Sequence, residues 1–198
     1  MTRFTFKLVL LGDQAVGKTS LVLRYINNTF SEHYISTIGA DFLIKDLEFF
    51  GAPVRLMIWD LGGQSQWEHI RTRYMQGSDG VILVFDVSRL FNLEGYLDKW
   101  LQEIRDFIGD KTPIIVVGNK LDLKPEIDLN AAARLIKKLN YPYIETSAKT
   151  GNLVESMFQR IAADIIMQKA EQIKEIEGLE SEADISKLFN QIRGKHTE

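Results

Sequence analysis

Short apolar runs alternate with stretches of helical period along most of the chain. Phe4–Leu11 ends in a near-continuous apolar run and stops at Gly12, which reads as a buried strand. Lys18–Asn27 reads as a helix, and 28–38 as a polar loop. Phe42–Phe50 and Val54–Asp60 read as two strands joined at Phe50-Gly51-Ala52 by a tight hairpin connection. A glycine-containing loop, Leu61–Gln66, leads into a short helix that runs through Gln76. Gly80–Asp86 reads as a strand, Leu93–Ile108 as a helix, Pro113–Gly118 as a strand and Asp128–Leu139 as a helix. Tyr143–Glu145 is a short strand and Val154–Lys169 a closing helix. Strand–helix alternation with apolar strands predicts an α/β domain whose mostly parallel sheet is covered on both faces.

After about Gln168 the chain becomes rich in Glu and Lys, and Gly178 interrupts it. The expected division is a domain over 1–170 and a charged extension over 171–198. Ser181 can cap a further helix, on which Ile185, Leu188, Phe189 and Ile192 form one apolar stripe. The mixed charges around that stripe do not match a strongly basic membrane-surface helix, so a helix over 181–193 is expected to pack on the domain or on a partner protein.

Composition narrows the chemistry. A chain of 198 residues suits one domain with a sizeable core, with or without a tail. Its net charge of −3 argues against non-specific nucleic-acid binding, which needs a basic surface. There is no cysteine, which excludes a disulfide framework, a thiolate metal site, a cysteine nucleophile, and prenyl or palmitoyl anchoring of this sequence as it stands. Truncation, or a lineage without the lipid, are the two readings of that. Thr2 is not the glycine that N-myristoylation needs, and the N-terminus lacks the long apolar segment of a signal peptide. A cytoplasmic, monomeric protein, recruited to membranes only by partners, is the expectation.

The strand ends carry the chemistry. Gly12-Asp13-Gln14-Ala15-Val16-Gly17-Lys18-Thr19-Ser20 lies between a strand and a helix, the setting a phosphate-binding loop demands. Its glycines let backbone N–H groups converge, and the helix N-terminus adds a dipole that favours an anion. Lys18 brings a charge to the β/γ-phosphates and the Thr19 hydroxyl binds Mg²⁺. This loop alone does not separate ATP from GTP. Asp60-Leu61-Gly62-Gly63-Gln64 closes another strand, where Asp60 can hold Mg²⁺ through water and a glycine N–H can meet the γ-phosphate. Asn119-Lys120-Leu121-Asp122 closes a third, and the Asp122 carboxylate matches the N1–H and N2–H₂ pair of guanine. Adenine has no such pair and would leave the carboxylate unpaired. Ser147-Ala148-Lys149 follows a fourth strand, where a backbone N–H can meet guanine O6. Ligands of open α/β sheets bind at this edge.

Over roughly residues 4–170 the chain resembles the Ras-like small GTPases, with the Rab branch nearest. Ser36-Thr37-Ile38-Gly39-Ala40-Asp41-Phe42, Val54-Arg55-Leu56-Met57-Ile58-Trp59-Asp60 and Leu83-Val84-Phe85-Asp86-Val87-Ser88 carry the likeness, as does an aromatic triad of Phe42, Trp59 and Tyr74. The resemblance implies a P-loop GTPase fold: a six-stranded sheet with one antiparallel strand, here Phe42–Phe50, and helices on both faces. It implies a GTP/GDP switch with Mg²⁺ and slow hydrolysis. Thr37 binds the metal and the γ-phosphate, Phe30 and Lys120 flank the base, and Gln64 orients the attacking water. Tyr34, placed among the nucleotide-binding residues, stands about where heterotrimeric α-subunits carry a catalytic arginine, and no such arginine is evident here. Loops 28–42 and 61–77 become the switches, read by effectors, exchange factors and activating proteins, with Rab-like membrane trafficking as the cellular setting.

Departures from the family pattern qualify this. Gln14 replaces a glycine or serine and crowds the γ-phosphate. Gly62 stands where Rab proteins usually have alanine, an Arf-like Leu-Gly-Gly-Gln start that is expected to loosen switch II. A GTP-binding scaffold with little or no hydrolysis is therefore the alternative, favoured by Gln14 and opposed by Gln64. An ATPase of the wider P-loop class is the third reading, opposed by Asp122 and by Ser147-Ala148-Lys149.

Overall fold

The computed structural model describes residues 4–31, 37–49, 52–89 and 91–177. Its elements follow in the order β1 (Phe4–Leu11), α1 (Lys18–Asn27), β2 (Ala40–Phe49), β3 (Ala52–Leu61), a 3₁₀ turn (Ser65–Trp67), α2 (Glu68–Met75) and β4 (Gly80–Asp86). The chain continues through α3 (Leu93–Phe107), β5 (Ile114–Asn119), α4 (Leu129–Lys138), β6 (Tyr143–Glu145) and α5 (Val154–Glu177). Six strands form one sheet in the order β2-β3-β1-β4-β5-β6. All neighbours are parallel except β2 and β3, the antiparallel pair expected.

The sheet separates two cores, and the two-residue period of the strands decides which side chain joins which. Leu8, Leu10, Ile58, Ile82 and Val84 face α1 and α5, where they meet Leu21, Phe158, Ile161 and Ile165. Val9, Leu11, Val81, Leu83 and Phe85 face the other way, toward Met75 of α2, Leu97, Trp100 and Ile104 of α3, and Ile136 of α4. Every residue of β4 is buried, which accounts for its unbroken apolar run. Each fully buried large apolar side chain contributes about 1.5–3 kcal/mol relative to exposure. The β2 edge carries Lys45, Asp46 and Glu48, charges that discourage further strand pairing.

Several element ends differ from the sequence reading, most of them by a residue or two. β2 begins at Ala40 rather than Phe42, and β3 extends to Ala52 and Leu61, because the antiparallel ladder continues from Ala40↔Leu61 to Phe49↔Ala52. Backbone pairing needs no apolar side chain, so periodicity alone under-reads it. α5 runs to Glu177 rather than Lys169. Its extra residues, 170–177, are mostly Ala, Glu, Gln and Lys, good helix formers that carry the helix past the point where charge becomes dense. The hairpin tip at Phe50-Gly51, Tyr34 and the expected helix over 181–193 lie outside the described residues.

Candidate functional site

The C-terminal ends of β1, β3, β5 and β6 open on a cleft of about 890 Å³. Most of the residues singled out from sequence line it: Gln14, Ala15, Gly17, Lys18, Thr19, Ser20, Phe30, Thr37, Gly63, Gln64, Asn119, Lys120, Asp122, Ala148 and Lys149. Asp13, Val16, Asp60 and Ser147 stand behind this lining.

Among the described residues, side chains cap α3, where Asn92 accepts from the Gly95 N–H, and α4, where Asp128 accepts from the Ala131 N–H. Each such cap is worth about 1 kcal/mol. α1 is different. Its N-cap is Gly17 at φ 98°, with no side chain to occupy the first-turn donors. A side chain there would be strained, and a Cβ would sit 2.3 Å from Asn119 Nδ2. The loop is pinned from behind, since Asn119 Nδ2 donates to Val16 O at 2.9 Å. Tyr96 holds its start, with its hydroxyl donating to Val84 O and facing the Asp13 N–H at 3.4 Å. The Asp13 carboxylate turns toward α3, where it accepts from Trp100 Nε1 at 3.2 Å and pairs with Lys99. Asp13 thus braces the loop rather than facing the cleft.

Lys18 is buried. Its ammonium donates to the carbonyls of Gly12 and Asp13 at 2.8 and 2.9 Å. Burial pulls its pKa down to about 8, against the opposing pull of Asp60 and Asp13. A bound polyanion would reverse that burial cost, and uncapped helix donors beside a buried cation are the physical basis of a phosphate site.

Beside Lys18, three oxygens converge from three separate segments. The Thr19 hydroxyl donates to Asp60 Oδ2 and lies 2.8 Å from the Thr37 hydroxyl. Thr37 in turn reaches Asp60 Oδ2 at 3.3 Å. Asp60 is fully buried and its Oδ1 has no hydrogen-bond partner among the described residues. Burial raises its pKa, opposed by the Thr19 hydrogen bond, Lys18 and Thr37. An orphaned carboxylate oxygen beside two hydroxyls is a hard, all-oxygen donor set that fits Mg²⁺. Elsewhere among the described residues, no cluster of His, Cys, Asp and Glu suits a metal.

The far end of the cleft is built for recognition. Asp122 Oδ1 accepts from Ser147 Oγ at 2.6 Å, which orients the carboxylate and leaves it acceptor capacity. Asn119 Oδ1 takes the Thr146 hydroxyl at 3.2 Å and the Ala148 N–H at 3.3 Å. Lys120 adopts φ 72°, and its ammonium pairs with buried Asp86 at 2.7 Å, so that its stem is held beside the cleft. Phe30 is about one-third exposed on the same cleft.

The two expected switches meet across backbone. The Gly62 N–H donates to Gly39 O at 2.8 Å. Gly62 is buried, and a Cβ there would lie 3.0 Å from Gly39 O and 3.1 Å from Thr37 O. Gly63 packs closer still: a Cβ would stand 2.4 Å from Gly12 O and 2.6 Å from Gln14 N. Gln64 lines the cleft, with its side-chain oxygen accepting from Gln66 Nε2 at 2.7 Å. Arg71 of α2 is buried, forks onto both carboxylate oxygens of Glu103 at 2.7 and 3.1 Å, and lies over Trp100. Alongside, Phe42, Trp59 and Tyr74 form one contiguous aromatic group, its ring centroids 4.8 Å apart in each successive pair. Ile44, 45% exposed and two residues along β2 from Phe42, shares that side of the strand, and Ile38, 79% exposed, lines the cleft.

Arg24, Thr146, Asp86, Tyr96 and the Arg71–Glu103 pair were not legible in the sequence. Each acts through a partner distant in the chain; Asp86 falls within the stretch 83–88 that carries the family likeness, which does not show its pairing with Lys120, and the others sit in no such motif. Among the described residues no helix is long and apolar enough to cross a membrane.

Residues 7–167 match the sequence model of the Ras family. The chain is 42% identical over 164 residues to the Ras-related protein Rab-1A of Dictyostelium discoideum, an alignment that covers 82% of this chain and 81% of that protein.

Proposed function

The chain belongs to the Ras family, on its Rab side, and is a GTP-binding GTPase; from that premise we propose how its residues divide the work. Lys18 and the loop N–H groups of 14–19 hold the β/γ-phosphates. Thr19, Thr37 and, through water, Asp60 would hold Mg²⁺, which would supply positive charge against the phosphates of the nucleotide. Asp122 reads the guanine edge, the Ala148–Lys149 backbone reads O6, and Phe30 and the Lys120 stem flank the ring. Asp13, Val16, Asn119 and Ser147 hold these groups in place, and Tyr34, outside the described residues, is assigned to the nucleotide-binding set from the family resemblance alone.

Hydrolysis then needs positioning more than a covalent nucleophile. Gln64 orients the water that adds to the γ-phosphorus, with GDP as the leaving group and inorganic phosphate as the second product. The Gln64 side-chain oxygen is engaged by Gln66 in this structure, and with no arginine among the described residues that line the cleft to stabilise the transition state, intrinsic turnover is slow without an activating protein. Loss of the γ-phosphate releases Thr37 and Gly63, and loops 28–42 and 61–77 change shape together.

The observation that carries this reading is the Thr37 hydroxyl, 2.8 Å from Thr19 and 3.3 Å from Asp60. That contact joins the described end of switch I to the two residues read as metal ligands. The apolar face of Phe42, Trp59, Tyr74 and Ile44 is the surface that effectors and regulators would grip in a trafficking role, with 171–198 as an extension outside the domain. The protein acts as a cytoplasmic monomer recruited peripherally by such partners. The test is the nucleotide recovered on purification, followed by phosphate release with Mg²⁺ or chelator, for wild type and Gln64→Leu. Guanine nucleotide, Mg²⁺-dependent turnover, and at least tenfold slower release in Gln64→Leu at near-unchanged GTP affinity are expected. Equal turnover in the two proteins would refute the role of Gln64.

A further inference from the structure

One arginine outside every motif joins three parts of the cleft. Arg24 lies in the last turn of α1. Its Nε donates to Ala148 O at 2.8 Å and its Nη2 to Lys149 O at 2.6 Å. Its Nη1 donates to both Asn28 O and Asn28 Oδ1 at 3.0 Å. Asn28 closes α1 at φ 53°, with its own N–H returning to Arg24 O at 3.0 Å. Thr29 and Phe30, which line the cleft, follow directly.

Ala148 is thereby held from two sides. Its N–H faces Asn119 Oδ1 from within, and its carbonyl takes the Arg24 guanidinium from outside. A planar guanidinium presents its donors in a fixed fork, so satisfying four acceptors at once sets the spacing between them. We propose that Arg24 is a positioning residue for nucleotide retention: it locks the loop over 147–149 against the hinge that leads into switch I, and so controls how fast the base end of the cleft opens. This rests on the reading of the cleft as a guanine-nucleotide site. Its four acceptors are three backbone carbonyls and the Asn28 side chain, so it acts through the Ala148–Lys149 loop and the Asn28 hinge and not on the ligand.

The experiment uses the full chain loaded with a fluorescent GDP analogue, with release followed after adding excess GDP. Arg24→Gln is expected to release about tenfold faster or more, since charge-assisted hydrogen bonds to two carbonyls of the loop are lost. Arg24→Lys, which keeps the charge and stem without the fork, is expected to fall between. Phosphate release per bound GTP in a single turnover should stay within about twofold, because the metal end is untouched. The ratio of variant to wild-type release should be the same with Mg²⁺ and with chelator, as independent ends of one site give additive effects. Arg160→Gln, on the exposed face of α5, is the control for loss of a surface arginine. Release from Arg24→Gln within twofold of wild type, or a ratio that vanishes in chelator, overturns the assignment. A wild-type protein that retains no guanine nucleotide overturns the cleft reading and this assignment together, and is told apart by the wild-type trace alone.

Discussion

Replacing Asn119 by alanine would remove three hydrogen bonds from a side chain only 1% exposed. Its Nδ2 bonds Val16 O at 2.9 Å, and its Oδ1 takes Thr146 Oγ1 at 3.2 Å and the Ala148 N–H at 3.3 Å. These bonds tie the phosphate loop, the end of β6 and the base-reading loop to the end of β5. At about 1 kcal/mol net for each bond, the loss is about 3 kcal/mol, with the orphaned partners tending to raise it. For a domain of this size each kcal/mol moves Tm by about 2–4 °C, so a fall of about 6–12 °C is expected. The assay is thermal unfolding with GDP at about one hundred times each protein's own Kd. Bound ligand then adds the same increment of about 2.7 kcal/mol to both, and weaker nucleotide binding cannot pass for lost stability. A fall below about 3 °C at matched saturation would show that these bonds do not carry the junction between the three loops.

Two further substitutions probe other parts of the cleft. Asp122→Asn should move base preference from guanine toward xanthine nucleotides, by about 10⁴-fold in the ratio of affinities, because the matched pair of donors loses its acceptor; competition titrations that leave GTP preferred would sink the base-reading role. Gly63→Ala would set a methyl 2.4 Å from Gly12 O and 2.5 Å from the Asp13 carbonyl carbon. Because Asn119 and Tyr96 brace that loop, the start of switch II must move away, and phosphate release should fall at least about tenfold while GDP affinity stays within about threefold. Unchanged single-turnover hydrolysis would mean that the loop yields instead.

Local patterns determined much of this protein. The strands of a doubly covered sheet must be apolar throughout, so β1 and β4 were read to the residue, as were α1 and β6. The phosphate loop was legible because anion binding by backbone needs glycine at set places between strand and helix. Asp60, Asn119 and Asp122 were legible because sheet ends are where such ligands sit. What period and motif do not carry is distance between segments. Packing decided that Thr37 closes on Asp60, that the Asp13 carboxylate turns to Trp100, and that Arg71 forks onto Glu103. It also decided that Arg24 reaches across 124 residues to Ala148. A lone arginine in the last turn of a helix has many acceptors open to it. Only when α1 is laid against the sheet, beside the loop that follows β6, does one set of carbonyls come within its reach.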